Sequence, residues 1–339
     1  MSTRCIAAIA RMEKIIQRDE GQRGIKNLCQ PAGTLAALAT SLFASRSVVL
    51  VTGFPCLIQH DPPTETDGPS GTIAIARALT RMGTNTKVTI VTDQCNAKVL
   101  ELCATTALTE SPAHSWQIVS FPPKDQWNEI DQHKLEQLAA TADHVVALER
   151  ASQALDGNAY TMSGTVMGND LLAPLDQLFQ ELRSKYTYTT SCVGDGGNEL
   201  GMAGARAEIV QHIKNGGTIA SASRADHLLV ASVSNWGGYS IAAALEAIVW
   251  DATKLSTEAK REGDAVDVVD VVGAAWPLLP PDNEELLAVE AAVRAGARDG
   301  VSGKQEVSVD GMSMEVSLSV LRELRNELTA YVDGYMYPD

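Results

Sequence analysis

The chain has 339 residues, 45% of them apolar, with 27 basic against 42 acidic side chains and a formal charge of −15. That length and apolar content can bury a sizeable core as one large domain or two modest ones, and the acidic balance disfavours nucleic acid or an anionic membrane surface as a partner. No apolar run approaches the roughly 20 residues that span a bilayer; the longest, near Val48 to Phe54, is strand-sized.

Cys5 to Asp19 reads as a helix, and Thr34 to Ala44 as a second, both expected outside the main sheet. The first residues mix Arg4, Arg11 and Lys14 with Glu13, Asp19 and Glu20, which is neither the apolar core of a secretory signal nor an acid-poor transit peptide. The cytoplasm is the expected compartment, with the mitochondrial matrix as the alternative. Cys5, Cys29, Cys56, Cys95, Cys103 and Cys192 form no Cys-x-x-Cys pair and are expected to be reduced, mostly in the core.

Six β-branched runs follow, beginning at Val48, Lys87, Trp116, His144, Tyr188 and His227. Helix-spaced segments separate them: Gly71 to Met82, Asn96 to Ala104, Ile130 to Ala142, Leu171 to Lys185 and Gly197 to Asn215. Strands that alternate with helices predict an α/β fold, a doubly wound, mostly parallel Rossmann-like sheet with helices on both faces. In such sheets ligands bind beyond the carboxyl ends of the strands, where the strand order reverses. The loops after the strands, including Ser234 to Tyr239, should therefore share one rim.

After Trp250 the pattern changes to a charged stretch from Thr253 to Asp267, then Pro277, Pro280 and Pro281, a helix from Asn283 to Ala295, and a last helix from about Ser317 to Tyr331. Between those helices Asp310-Gly311 signals a hairpin turn. We therefore divide the chain into an α/β core over 1–255, carrying the N-terminal helices and a rim active site, and a C-terminal α+β extension over 256–339. The extension is expected to act as a cap or an oligomerisation element on the core, and so leaves a homo-oligomer open.

Two acidic glycine turns carry the chemistry. Gly194-Asp195-Gly196-Gly197-Asn198-Glu199 follows the fifth strand, and Glu65-Thr66-Asp67-Gly68-Pro69-Ser70-Gly71 follows the first. Neither matches a phosphate loop, since no lysine follows and the glycine spacing is wrong; Asp195 and Glu199 would repel phosphate unless a cation intervened. Hard oxygen ligands at Glu65, Asp67, Asp93, Glu149 and Asp195 would suit Mg2+ or Mn2+ better than zinc. The bland alternative is that Asp195 and Asp67 cap the helices that follow them. The histidines show no ligand spacing, and only His60, in the first rim loop, is kept as a candidate.

With Thr52-Gly53-Phe54-Pro55, Val91-Thr92-Asp93, Glu149-Arg150 and Asp156-Gly157, these turns resemble the C-terminal domain of the D-glutamate cyclase family and its stand-alone microbial members. The match runs from about Arg11 to Leu328. It departs at Ala203, where glycine is expected, and at Ala151, where proline is expected. The animal enzyme carries a further N-terminal hydro-lyase-like domain that this sequence does not include.

The resemblance implies a hydro-lyase that converts D-glutamate to 5-oxo-D-proline and water, with a small amino acid as its substrate. The residues permit such a reaction, with Asp195 and Glu199 as the acid/base centre and Glu65 and Asp67 holding the substrate ammonium or a divalent ion. Substrate contacts are assigned to Arg150 and Arg224, Asn198 and Asn235, Gly53, Gly196 and Gly197, and Ser70. Two other classes stay open: a non-catalytic amino-acid or metal-binding module, and a metal-dependent phosphotransferase or hydrolase on a small acidic metabolite.

Overall fold

All six β-branched runs become strands of one sheet in the computed structural model, which describes residues 1–336 apart from 30, 110, 113 and 263–275. In chain order they are β1 (Ser47–Gly53), β2 (Lys87–Asp93), β3 (Trp116–Phe121), β4 (His144–Arg150), β7 (Thr189–Gly194) and β8 (His227–Val230). A small hairpin of β5 (Ala159–Tyr160) and β6 (Val166–Met167) intervenes, and β9 (Ser308–Val309) pairs with β10 (Met312–Ser313) near the C-terminus.

The sheet runs β3-β2-β1-β4-β7-β8 with every pairing parallel. The chain builds outward from β1 to β3, returns to the middle, and builds the other way from β4. Loops leaving β1 and β4 therefore diverge, which opens a crevice at the carboxyl end of the sheet.

Alternation along β1 divides the core in two, because successive side chains point to opposite faces. Val48 and Leu50 join one apolar cluster and Val49 and Val51 the other. The first cluster is covered by α1 (Thr3–Ile16), α2 (Thr34–Ala44), α3 (Pro69–Arg81), α4 (Ala97–Ala107), α9 (Ser234–Glu262), α10 (Asp282–Arg294) and α11 (Met314–Met336). The second is covered by α5 (Glu129–Thr141), α6 (Glu181–Lys185), α7 (Arg206–His212) and α8 (Gly216–Ile219).

Helices α3 and α9 hold the centre of the first face. Every residue of α3 is buried, as are Trp236 and Tyr239 on α9; each such large side chain contributes roughly 1.5–3 kcal/mol relative to exposure. Their close crossing depends on glycine, since a Cβ at Gly238 would lie 2.3 Å from the Gly71 carbonyl oxygen.

The sequence expectations need four adjustments. Leu171 to Lys185 is a short 3-10 turn (Leu175–Leu178) followed by α6, since Pro174 cannot sit inside a continuous helix. The segment from Gly197 turns helical only at Ala203–Ala205 and α7, because Gly197 and Gly201 take positive φ. The boundary at 255 falls inside α9. The hairpin has two-residue strands, and α11 starts at Met314. Residues 263–267 of the charged stretch lie outside the described residues. All six cysteines are free, and among the described residues no helix is long and apolar enough to cross a membrane.

Candidate active site

The crevice between β1 and β4 is where the sheet is irregular. Thr52 pairs with Leu148 and Gly53 with Arg150, so Glu149 is an extra residue on β4. Its φ of 44° is left-handed, rare for a side chain of this size. A bulge re-aims a side chain, and here it brings the Glu149 carboxylate onto the cavity wall, where Oε2 accepts from the Ser234 hydroxyl at 2.6 Å.

Beyond β7 the acidic turn folds around Glu199. Its Oε1 accepts from the backbone N–H of Asp195 (3.1 Å) and Gly196 (2.6 Å), and its Oε2 from that of Gly197 (2.6 Å). Three donors converging on one carboxylate turn Glu199 into the pin of the loop. Asn198 donates from Nδ2 to the Tyr160 carbonyl at 2.7 Å, tying the turn to the β5–β6 hairpin. No helix begins at Gly197, so Asp195 is not a helix cap.

The first acidic turn is held from α9. Asp67 accepts from the N–H of Ser234 and Asn235, both at 2.8 Å, and so sits at the start of α9 instead of capping α3. Asn235 returns the contact, its Oδ1 accepting from Gly68 (3.0 Å) and Gly71 (2.7 Å). Glu65 is positioned by residues 298 to 300: Thr66 N–H donates to the Arg298 carbonyl at 2.8 Å, and a Cβ at Gly300 would come 2.0 Å from Glu65 Oε2.

Two residues from the ends of the chain complete the site. Arg23 pairs through Nη2 with Asp195 and with Asp310, the latter at 2.8 Å, and also donates to the Ser232 carbonyl. Asp310 occupies a left-handed position of the β9–β10 turn. The enclosed space is about 420 Å³, within the range of small-molecule sites. Its charged and amide groups include Arg23, Glu65, Glu149, Asp195, Asn198, Glu199 and Asp310, and its apolar part includes Phe54, Ile58, Met162 and Val301.

Crowded acids in a buried site resist ionisation. Burial, then Asp310 and Asp67, holds Glu65 well above the usual carboxylate range. Burial, then Asp195 and Glu199, does the same to Glu149, and burial with Asp195 raises Asp310 despite Arg23. Asp67 is pushed to about 8 by burial and Asp310, against its backbone donors. Asp195 is pushed to about 7 by burial; Arg23 pulls it down and Glu199 up. Burial opposes the charge of Arg23, but Asp195 and Asp310 overcome it and hold the guanidinium protonated. Burial and mutual repulsion thus raise the carboxyls of the cavity above their ordinary range, around one guanidinium that stays charged.

Several sequence assignments move. Arg150 and Asp93 are each fully buried and pair with one another at 3.1 Å; Arg150 Nη2 also donates to the Ala173 carbonyl, and Asp93 accepts from Ala173 N–H. They fasten the 171–174 loop and do not line the cavity, where the sequence reading places Arg150 on the substrate and Asp93 on a metal. Arg224 is exposed and lines surface grooves with Arg183 and Asp226, away from the acidic cavity. Asn235, Gly53 and Ser70 shape the loops without facing the cavity; at Gly53, φ is 116° and a Cβ would meet Asn96 Nδ2 at 2.4 Å. Gly196 and Gly197 spend their N–H groups on Glu199. His60 is exposed and off the cavity wall.

Sequence reasoning missed Arg23 and Asp310. Asp310-Gly311 was legible as a turn, but nothing local pointed either residue at Asp195.

Among the described residues two trios each bring one oxygen per carboxylate within 4.8 Å of the others, Asp67 with Asp195 and Asp310, and Glu149 with Asp195 and Glu199. In the first, Arg23 already holds Asp195 and Asp310, and backbone donors hold Asp67. In the second, Arg23 likewise holds Asp195 and three backbone donors hold Glu199, while Glu149 accepts from the Ser234 hydroxyl. That donor set of hard oxygens fits Mg2+ or Mn2+.

The fold and cavity define a doubly wound α/β protein with its acidic pocket at the switch point of the sheet. A family model described as D-glutamate cyclase-like, C-terminal, matches residues 12–325, and the chain belongs to that family. It is 33% identical over 338 residues to the human protein D-glutamate cyclase, mitochondrial, an alignment that covers 96% of this chain and 52% of the human one. The chain thus spans about half the length of that relative.

Proposed function

We propose that the chain is a D-glutamate cyclase-like hydro-lyase that closes D-glutamate to 5-oxo-D-proline and releases water. The observation that carries this reading is the gathering of Asp195, Glu65 and Glu149 around one cavity, where burial raises the pKa of all three carboxyls. Lactam closure needs both a base and an acid.

The substrate amine arrives as an ammonium and gives a proton to Asp195. With an α-amino pKa of about 8 as a lower guide, that step costs at least roughly 1.4 kcal/mol at pH 7, which a nearby carboxylate offsets. The freed lone pair attacks the γ-carboxyl carbon and forms the C–N bond. One γ-carboxylate oxygen takes a proton from Glu149 or Glu65, and the attacking nitrogen returns its second proton to that side chain. Collapse of the tetrahedral centre breaks the C–OH bond as Asp195 hands on the first ammonium proton, so the oxygen departs as water and each side chain regains its starting state. Glu199 keeps the turn that aims Asp195, in place of a direct acid role. A divalent cation held at Glu149, Asp195 and Glu199 would supply Lewis-acid polarisation of the γ-carboxyl.

The test is direct: purified protein is incubated with D-glutamate or L-glutamate, with Mg2+, with Mn2+ or after chelation, and 5-oxoproline is measured. Product from D-glutamate supports the reading, and its absence under every condition rejects it. Heat stabilisation by D-glutamate without product would instead identify a binding module.

A further inference from the structure

We infer that Arg23 receives the α-carboxylate of the amino acid bound in this cavity, a role that rests on the cyclase-like reading for the choice of substrate. Arg23 is the one cationic side chain on the cavity wall among the described residues. It lies outside the strand-helix pattern, in a loop shaped by Asp19, whose two carboxylate oxygens accept the N–H of Arg23 (2.8 Å) and Gly24 (2.9 Å).

Its donors are divided. All three side-chain hydrogen bonds run from Nη2, to Asp195, the Ser232 carbonyl and Asp310. Nε and Nη1 meet no acceptor among the described residues, and 28% of the side chain stays exposed. A guanidinium has five N–H groups and cannot lose its charge in a protein. The contacts to Asp195 and Asp310 therefore hold it in place while three donors remain for a ligand.

The chemistry selects which substrate carboxylate it takes. An amino-acid dianion entering a pocket of carboxyls is repelled unless a permanent cation meets it. The α-carboxylate keeps its charge from substrate to product, and a fixed guanidinium suits it. The γ-carboxyl loses its charge and one oxygen during the reaction, and belongs on the part of the wall formed by Glu65 and Glu149. This places the ammonium between them, within reach of Asp195.

Calorimetry on the full chain tests the assignment with D-glutamate, its α-amide and its γ-amide. Wild type should bind the α-amide about 30-fold more weakly than D-glutamate, the size of one charge-assisted hydrogen-bond contact. Arg23→Gln should lose a similar factor for D-glutamate and bind the two ligands within about twofold of each other. Its preference between D-glutamate and the γ-amide should match that of wild type.

Should Arg23→Gln fail to fold, the double variant Arg23→Gln with Asp310→Asn removes one of the two carboxyls left without their cation, and the same loss of α-carboxylate discrimination is expected. A variant that keeps the wild-type preference, or a wild type indifferent to the α-amide, overturns the assignment. Wild type that shows the expected preference but makes no 5-oxoproline overturns the cyclase reading alone. Failure of wild type to bind D-glutamate overturns both.

Discussion

Arg23 and Asp310 lie 287 positions apart and meet at 2.8 Å over the carboxylate of Asp195. One precedes the sheet in sequence and the other follows all of its strands, yet both sit on the wall of the same cavity. The acidic turn after β7 is therefore completed by the two ends of the chain, and its charge balance is set there.

Asp195→Asn should abolish turnover, by about 10²–10⁴-fold, because an amide cannot accept the substrate proton. The same change should raise Tm at pH 8. The folded carboxyl titrates near 7 against an ordinary value of 3.8, so the folded chain holds a proton that the unfolded chain has released. Asp195 thus costs stability as pH rises from about 4 through about 7, and the variant escapes that cost. Thermal unfolding at pH 5 and pH 8 checks it; a lowered Tm at pH 8 would count against the buried-acid account.

Glu199→Gln should behave in the opposite way. Glutamine can keep its amide oxygen on the Asp195 and Gly196 donors but then turns its N–H2 toward the Gly197 donor. Each buried donor left unmet costs about 1–3 kcal/mol. Urea unfolding should show a loss of at least that size, with turnover reduced because Asp195 is no longer aimed. A fully stable variant would remove Glu199 from its role as the pin of the turn.

Asp93→Asn or Arg150→Met leaves one buried charge without its partner and should cost about 3–5 kcal/mol. The fraction that remains folded should bind D-glutamate with wild-type affinity, since neither side chain lines the cavity. A selective loss of affinity, with stability unchanged, would return Arg150 to the substrate site.

His144 should make the protein acid-sensitive. It lies buried between the Ser41 and Ser191 hydroxyls at 3.1 and 2.7 Å, with the His227 ring 6.4 Å away. Burial, then His227, lowers its pKa from 6.5 to about 3, and Asp226 only partly opposes this. Between those values the unfolded chain binds a proton that the folded chain excludes. The stability of the neutral form is complete above pH 6.5 and falls by about 1.4 kcal/mol per unit as pH drops toward 3. His144→Asn should flatten that slope in unfolding measured from pH 7 to 4, leaving the contribution of His227, whose pKa is also lowered by burial.

Much of this protein was legible locally. β-branched runs separated by helix-spaced segments fixed six strands, and parallel strands with covering helices follow from how such segments bury their apolar faces. The two acidic glycine turns were legible for the same reason: glycine and carboxylate in one short loop state their backbone freedom and their chemistry without reference to distant residues. Glu65, Asp195, Asn198, Glu199 and Glu149 do line one cavity.

What the sequence could not settle was partnership. Arg150 and Arg224 stood beside rim segments and looked like the compensating cations, but one is consumed by Asp93 in the interior and the other faces solvent. Arg23 and Asp310 sit in unremarkable loop positions, and their meeting depends on packing α1 and α11 against α9, an arrangement with no local signature. Composition and periodicity determine which groups a chain carries and which local shapes it can take; only tertiary structure decides which buried charges face one another, because that choice follows from distant surfaces being covered together.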